Sequence, residues 1–143
     1  MAFIKKKVVD IDGEKVEISQ LSGLDRFDYL DFVTDLPKPQ KPVHPGDGAT
    51  DEQLQQYYEE ADKIMHQFSK LTFQAQSRLV AYGYRNQVES IDERHHQVMA
   101  TMTPEQVYRL NDEIAAFSGM LPAETDDAQP AEQEPEVLTD PKA

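Results

Sequence analysis

A seven-residue repeat of apolar side chains runs through the middle of the chain and limits the folds that this sequence can adopt. The repeat and the apolar residues beside it are Leu54, Tyr57, Ala61, Ile64, Phe68, Leu71, Ala75 and Tyr82. The repeat predicts one long helix, which begins at a capping box headed by Thr50 and ends near Gly83 or Asn86. A helix of about 32 residues is roughly 48 Å long, more than the width of a small domain. We therefore expect it either to break, near Ser69 or Thr72, or to project from the molecule.

Three shorter helices are predicted from their capping residues. Ser22 is a suitable N-cap for the first helix, and Pro37 ends it. The apolar residues of this helix recur on helical spacing: Leu24, Phe27, Leu30, Val33 and Leu36. A second capping box at Ser90 opens the next helix. A third at Thr103 opens the last one, with Pro104 at a position where its missing N–H costs nothing.

The last helix has the clearest pattern. Its apolar stripe consists of Val107, Leu110, Ile114 and Phe117. Gly119 and Met120 follow the stripe in the order of a Schellman cap, which predicts where this helix ends.

The strongest turn signal precedes all of these helices. An Asp-Gly pair at positions 12–13 lies between two segments rich in β-branched residues, which predicts a β-hairpin with a two-residue loop. That loop places Val9 opposite Val16 and Asp10 opposite Lys15. An isolated hairpin is only marginally stable in water, so its apolar face must lie against a helix or a partner chain. This face consists of Val9, Ile11, Val16 and Ile18.

Two segments have compositions that oppose regular structure. Residues 37–49 hold four prolines and two glycines, so we expect a solvated connector there. Residues 122–143 hold seven acids against one base and none of the tyrosines or phenylalanines, which is too little apolar surface to offset the entropy of ordering. The predicted fold is mainly α. An N-terminal β-hairpin and a small bundle of about four helices form one domain, residues 1–121, and a disordered acidic tail follows.

Charge and composition exclude several classes of function. The net charge is -13, so the surface repels nucleic acid phosphates and anionic lipids. The chain has no cysteine, which excludes thiolate nucleophiles and Cys-ligated metals. Its glycines are scattered singly, so we expect no nucleotide cofactor. For the one basic run, Lys5 to Lys7, we favour a solvated or edge-protecting role on a strand over a phosphate site. Without a long apolar run or a secretory signal, we expect a soluble intracellular protein.

The search for catalytic groups gives one candidate. His95 and His96 lie beside Asp92, which is one turn before His96 on the same helical face. Adjacent histidines on a helix point about 100° apart, so the two cannot bind one ion without outside help. We therefore interpret them as a solvated face, with a metal-dependent hydrolase as the lesser alternative. We predict no metal site and no enzymatic activity.

The aromatic residues of the long helix indicate a different kind of site. Core packing explains most of them, but they point in several directions and one helix cannot bury them all. Exposed aromatic side chains commonly anchor protein interfaces. We therefore predict a helical binding module without catalytic function. The predicted partner-binding residues are Tyr57, Tyr58, Phe68, Tyr82 and Tyr84.

The order of these segments resembles the tail assembly chaperones of long-tailed phages, the lambda-type minor tail protein G family. The similarity begins at Leu21-Ser22-x-Leu24-x-Arg26-x-x-x-Leu30 and continues at Leu79-Val80-Ala81. The later motifs are Ser90-x-Asp92-Glu93, Thr103-x-Glu105 and Ser118-Gly119-Met120, before an acidic tail rich in alanine, proline and glutamate. Each motif is short, and their order and spacing carry the resemblance.

The resemblance implies a chaperone that coats the long, aggregation-prone tape measure protein in the host cytoplasm. The chaperone keeps it soluble before the tail tube polymerises around it, and is absent from the finished virion. In the family a programmed ribosomal frameshift makes a minor extended form that recruits the tail tube protein. As a hypothesis from codon choice, Asp140-Pro141-Lys142 could be encoded by a slippery C-CCA-AAG heptamer. Self-association of the chain stays an open alternative.

An acidic DNA mimic, which inhibits a host DNA-binding protein by occupying its cleft, is the alternative function. Such mimicry requires carboxylates spaced like phosphates along a rigid surface. Seven of the 27 acids lie in the predicted tail without periodicity. We therefore favour the chaperone.

Overall fold

The structure, a computed structural model, describes residues 3–85 and 90–120. Two strands form an antiparallel hairpin, β1 (Lys6–Ile11) and β2 (Glu14–Ser19). Four helices follow: α1 (Gly23–Asp35), α2 (Asp51–Gly83), α3 (Ile91–Thr101) and α4 (Pro104–Phe117). The predicted mainly α fold, with an N-terminal hairpin and four helices, is confirmed. No helix within these ranges combines the length and the apolar character that a membrane span requires.

The hairpin has the predicted turn and register. Val9 pairs with Val16. Asp12 and Gly13 have φ angles of 53° and 86°, as the two central residues of a type I′ turn require. The inner face of the hairpin lies against α4, with Ile18 almost completely buried. Of the two predicted coverings for this face, a helix of the same chain is the one observed.

The predicted caps begin the helices. Reciprocal capping boxes start three of them, at Ser22, Thr50 and Thr103. At the start of α3, Ser90 is the N-cap, but only half of the predicted capping box is observed: the Ser90 hydroxyl accepts a hydrogen bond from the Glu93 N–H at 3.1 Å. Each cap satisfies N–H groups that have no partner within the helix, so these short motifs set where the helices begin.

The Schellman cap at the end of α4 is confirmed. Gly119 has a φ of 72°, in the left-handed region. The Met120 N–H donates to the Ala115 carbonyl at 2.8 Å, and the Gly119 N–H donates to the Ala116 carbonyl at 3.1 Å. These are the two hydrogen bonds that define the motif.

α2 is unbroken, so of the two predicted alternatives the projecting helix is correct. It contains 33 residues, which corresponds to about 50 Å, and both Ser69 and Thr72 are helical. It ends at Gly83, whereas the other predicted end, Asn86, lies outside the described residues. Every buried residue of α2 falls between Ser77 and Gly83. The rest of the helix extends beyond the core.

The core lies where the last turns of α2 meet α4. Val80 of α2 and Ile114 of α4 have no exposed surface, and Val98 of α3 is buried beside them. The two helices approach closely at Gly83. A Cβ atom at this position would lie 2.5 Å from Cγ2 of Ile114, so only glycine fits without a shift of the structure.

The segment between β2 and α1 binds the C-terminal end of α4. The Gln20 side chain donates to the Phe117 carbonyl at 3.0 Å, and the Leu21 N–H donates to the Ser118 hydroxyl at 2.9 Å. The Arg26 guanidinium donates to the Ser118 carbonyl. The last carbonyls of a helix have no intrahelical partner, so the bonds from Gln20 and Arg26 satisfy groups that would otherwise need water. The first and the last motifs of the family resemblance therefore contact each other.

The connector, residues 37–49, contains neither helix nor strand. It leads from the end of α1 back along α2, where the His44 ring meets the Tyr57 ring edge to face with centroids 4.9 Å apart. The predicted acidic tail, residues 122–143, lies outside the described residues. The division of the chain into a domain of residues 1–121 and a tail therefore stays a prediction.

Candidate partner-binding surface

Residues 51–70 of α2 contain no buried side chain, and we call this part of the helix the arm. Within the arm, Tyr58, Met65 and Phe68 are large apolar residues that are exposed. Offsets of three and seven residues return to the same side of a helix, so these three side chains share one face. The arm therefore presents an apolar stripe that the described residues leave uncovered.

Two open grooves flank Phe68. The first, of about 450 Å³, includes Met65 and reaches Pro104 at the start of α4. The second, of about 190 Å³, lies between α1 and α2 and includes Val33 and Leu36. Both grooves are lined mainly by apolar surface. The stripe is thus continuous with concave apolar surface at the base of the arm.

The structure separates the five aromatic residues of the predicted binding surface. Tyr57 and Tyr58 meet edge to face near the start of the arm, with ring centroids 5.4 Å apart. Phe68 is exposed towards the other end of the arm. Tyr82 is only 4% exposed and belongs to the core, and Tyr84 is half-buried against it. In this conformation Tyr58 and Phe68 are the most accessible of the five, and a binding role for the set stays a prediction.

Met65 is the exposed residue of the stripe that the sequence reasoning missed. It lies seven positions after Tyr58, so the helical repeat alone places both on one face. The flexible, polarisable side chain of methionine adapts to irregular apolar surfaces, which suits a binding stripe.

His95 is buried, so the interpretation of both histidines as a solvated face is wrong for this residue. Its Nε2 atom lies 3.0 Å from the Ser77 hydroxyl and 3.0 Å from the Gln74 carbonyl. Its ring meets the Phe32 ring edge to face, with centroids 5.3 Å apart. The Arg78 guanidinium lies over the same Phe32 ring, 4.4 Å from the centroid. This cluster joins α1, α2 and α3.

The other two residues of the candidate metal site have different surroundings. His96 is exposed, as predicted, and the Asp92 carboxylate accepts a hydrogen bond from Arg78 at 2.8 Å. Within residues 3–85 and 90–120, no three His, Asp or Glu side chains are placed to hold a metal ion. The arrangement around His95 is one of packing and hydrogen bonding between helices.

Acid is expected to destabilise the fold through His95. Burial lowers the pKa of His95 below its ordinary value of 6.5, and the nearby Arg78 charge lowers it further. The Gln74 carbonyl and Asp92 oppose this shift, and His96 adds to it. As the pH falls below 6.5, the unfolded chain takes up a proton that the folded chain does not. The free energy of unfolding should then decrease by up to about 1.4 kcal/mol per pH unit, until the folded pKa is passed.

The test is to measure the urea concentration at the midpoint of unfolding at several pH values between about 7 and 5. In this range histidine is the main titrating side chain. His95→Gln should flatten the pH dependence, whereas the neighbouring His96→Gln should preserve it. Equal pH slopes for wild type and His95→Gln would show that another group is responsible.

These features define a small helical protein whose long second helix carries an uncovered apolar stripe. The model of the bacteriophage lambda tail assembly chaperone family (TAC, protein G) matches residues 2–136, and the chain belongs to this family. The resemblance noted in the sequence motifs is thereby confirmed. The family is one of phage tail assembly chaperones, a role that is not catalytic. Comparisons with curated proteins and with solved structures give no match.

Proposed function

We propose that the protein binds the tape measure protein of its phage, keeps it soluble and helps the tail tube to assemble around it. The observation that carries this proposal is the uncovered apolar stripe of Tyr58, Met65 and Phe68 on the arm. A long helical client presents an apolar stripe of its own, and helices with such stripes are recognised by complementary apolar faces and grooves. The role requires neither catalysis nor a cofactor.

The shape and charge of the protein suit temporary binding. The arm is about 30 Å long and carries only three large exposed apolar residues, so it covers a short part of a client with modest affinity. A net charge of -13 favours the solubility of a coated client. A cover of this kind can be displaced when the tail tube forms. We therefore propose that the protein acts in the host cytoplasm and is absent from the finished virion.

We also infer, from family membership, a minor frameshifted form that recruits the tail tube protein. The candidate slippery site, at Pro141 and Lys142, lies outside the described residues. The nucleotide sequence decides this point directly. A codon for either residue that interrupts the C-CCA-AAG heptamer would exclude the site.

Co-expression with the tape measure protein tests the proposed function. We expect the tape measure protein to remain in the soluble fraction with the wild-type chain and to precipitate without it. Tyr58→Gln combined with Met65→Gln should abolish this protection, because it removes most of the apolar stripe. Both residues are exposed, so the variant should remain folded.

The matched control removes two exposed apolar side chains elsewhere, by Val43→Gln and Tyr108→Gln. This variant should protect the client as well as the wild type does. If the tape measure protein precipitates equally with and without the wild-type chain, the proposal is wrong. If the control and arm variants fail equally, the arm is not the binding surface.

A further inference from the structure

The outer side of α1 carries a second uncovered apolar stripe. Leu24, Phe27 and Leu30 are 70%, 69% and 52% exposed, and no residue of α1 is buried. They recur every three residues, so they occupy one side of the helix. The side chains that face α2, such as Phe32 and Val33, lie about 120° to 140° around the helix from Phe27, the middle residue of the stripe. The stripe is therefore separate from the arm.

α1 is fixed to the rest of the molecule, so the exposure of its outer side is not the result of a loose helix. At its N-terminal end the Arg26 guanidinium donates to the Ser118 carbonyl, and Asp25 forms an ion pair with Arg85. Further along, the Phe32 ring lies under the Arg78 guanidinium. A helix held from one side in this way presents its other side in a fixed orientation, which lowers the entropic cost of binding.

Negative charge runs beside the outer stripe. Asp28, Asp31 and Asp35 are exposed and lie three or four residues apart, so they form a row along the helix. None of the three carboxylates forms an ion pair with a described residue. The outer side of α1 thus combines an apolar row with an adjacent row of unpaired carboxylates.

We propose that the outer side of α1 docks an amphipathic helix of a partner protein whose apolar stripe is flanked by lysine or arginine. Charge selects this occupant. A second copy of α1 would place aspartates against aspartates, and residues 122–143 hold seven acids against one base, so both are repelled. A basic partner helix instead pairs its flank with the carboxylate row while its apolar stripe covers Leu24, Phe27 and Leu30. This inference concerns a second surface and does not depend on the tape measure protein.

Two designed amphipathic peptides of about 20 residues test the proposal with the full chain. They share a leucine stripe, and one is flanked by lysine and the other by glutamate. The lysine peptide should bind with an affinity that falls as salt is added, and the glutamate peptide should bind at least about tenfold more weakly. Leu24→Gln with Phe27→Gln should lower the affinity for the lysine peptide at least about tenfold. The arm variant, Tyr58→Gln with Met65→Gln, should not.

Matched charge variants test whether the lysine peptide pairs with the carboxylates of α1 or is attracted only by the net charge of the protein. The α1 variant is Asp28→Asn, Asp31→Asn and Asp35→Asn. The control is Glu59→Gln, Glu60→Gln and Asp62→Asn, which removes the same charge from exposed positions on the arm. Only the α1 variant should bind the lysine peptide more weakly, and only in this variant should the affinity depend less on salt. All of these sites are exposed, and circular dichroism verifies that each variant is folded.

Several outcomes would overturn the inference. Equal binding of the two peptides would show that charge does not select the occupant. If each α1 variant and its arm counterpart lost the same affinity for the lysine peptide, α1 would not be the site. A dimer that dissociates on Leu24→Gln with Phe27→Gln would identify a second copy as the occupant. Val137 and Leu138 are adjacent apolar residues of the predicted tail. Stronger peptide binding after Val137→Gln with Leu138→Gln would identify the tail as the occupant.

Discussion

Replacing Gly83 with alanine is expected to lower the free energy of unfolding by about 1–3 kcal/mol. The new Cβ would lie 2.5 Å from Cγ2 of Ile114 and less than 3.0 Å from two further atoms of that side chain. Ile114 is fully buried and branched at Cβ, so it cannot turn aside, and α2 and α4 must separate. Urea unfolding followed by far-UV circular dichroism measures the loss, since the chain has no tryptophan to report it.

Gly23→Ala is the matched control for this prediction. Gly23 is also helical, but a Cβ at this position would meet no atom within 4 Å beyond its chain neighbours and the adjacent backbone of its own helix. Alanine has less conformational freedom than glycine in the unfolded chain, so less entropy is lost when the helix forms. This variant should therefore be as stable as the wild type, or more stable by up to about 1 kcal/mol. The same substitution should therefore lower the free energy of unfolding at position 83 and should not lower it at position 23. Equal effects would contradict the close approach of α2 and α4.

Replacing Ile114 with alanine is the second change with a large expected effect, a loss of about 2–5 kcal/mol. Its side chain has no exposed surface, belongs to the core and lies against Gly83 of α2. Truncation removes apolar burial and leaves a cavity that neighbouring helices fill only in part. Denaturant unfolding measures the loss. A cost below about 1 kcal/mol, typical of an exposed position, would mean that the core is not centred here.

The double variant tests whether the two effects share a cause. Ile114→Ala removes the three atoms nearest to a Cβ at position 83. Gly83→Ala should therefore cost less in this background, with a coupling energy of about 0.5–3 kcal/mol. Strict additivity would show that Gly83 is required for a reason other than its contact with Ile114.

The elements that the sequence predicts well depend on a few adjacent residues. Thr50 and Gln53 are sufficient to place the start of α2, and the Asp-Gly pair at positions 12–13 is sufficient to place the hairpin turn. In each case the determining hydrogen bond or φ angle is local. Contacts between distant residues do not change these outcomes, so the sequence pattern and the structure agree.

The side of α1 that packs against α2 and α3 could not be predicted in the same way. Helical spacing places Leu24 and Leu36 in one series, but the structure exposes the first and partly buries the second. The deciding contacts come from residues far along the chain, because Phe32 packs with Arg78 of α2 and His95 of α3. A periodic pattern identifies the helix without identifying its neighbours.

For a similar reason, the sequence could not predict which aromatic residues of α2 are exposed. The seven-residue repeat continues from Leu54 to Tyr82 without a change in character, whereas the core covers only the last turns of α2. Tyr82 is therefore buried and Tyr58 exposed, although both belong to the aromatic set of one helix. The repeat contains no information on where along the helix the other elements end.

The connector and the arm constrain each other's length. The end of α1 lies beside Leu71, about 30 Å along α2 from Asp51, and residues 37–50 must bridge that gap. About 14 residues in an extended, proline-rich conformation span roughly 43 Å, which exceeds the length of the gap by little more than 10 Å. One added heptad would lengthen the helix by about 10 Å and keep its apolar rows nearly in register. A second heptad would make the gap longer than the connector can span. Insertions in the helix and in the proline-rich segment should therefore accumulate together as such proteins diverge.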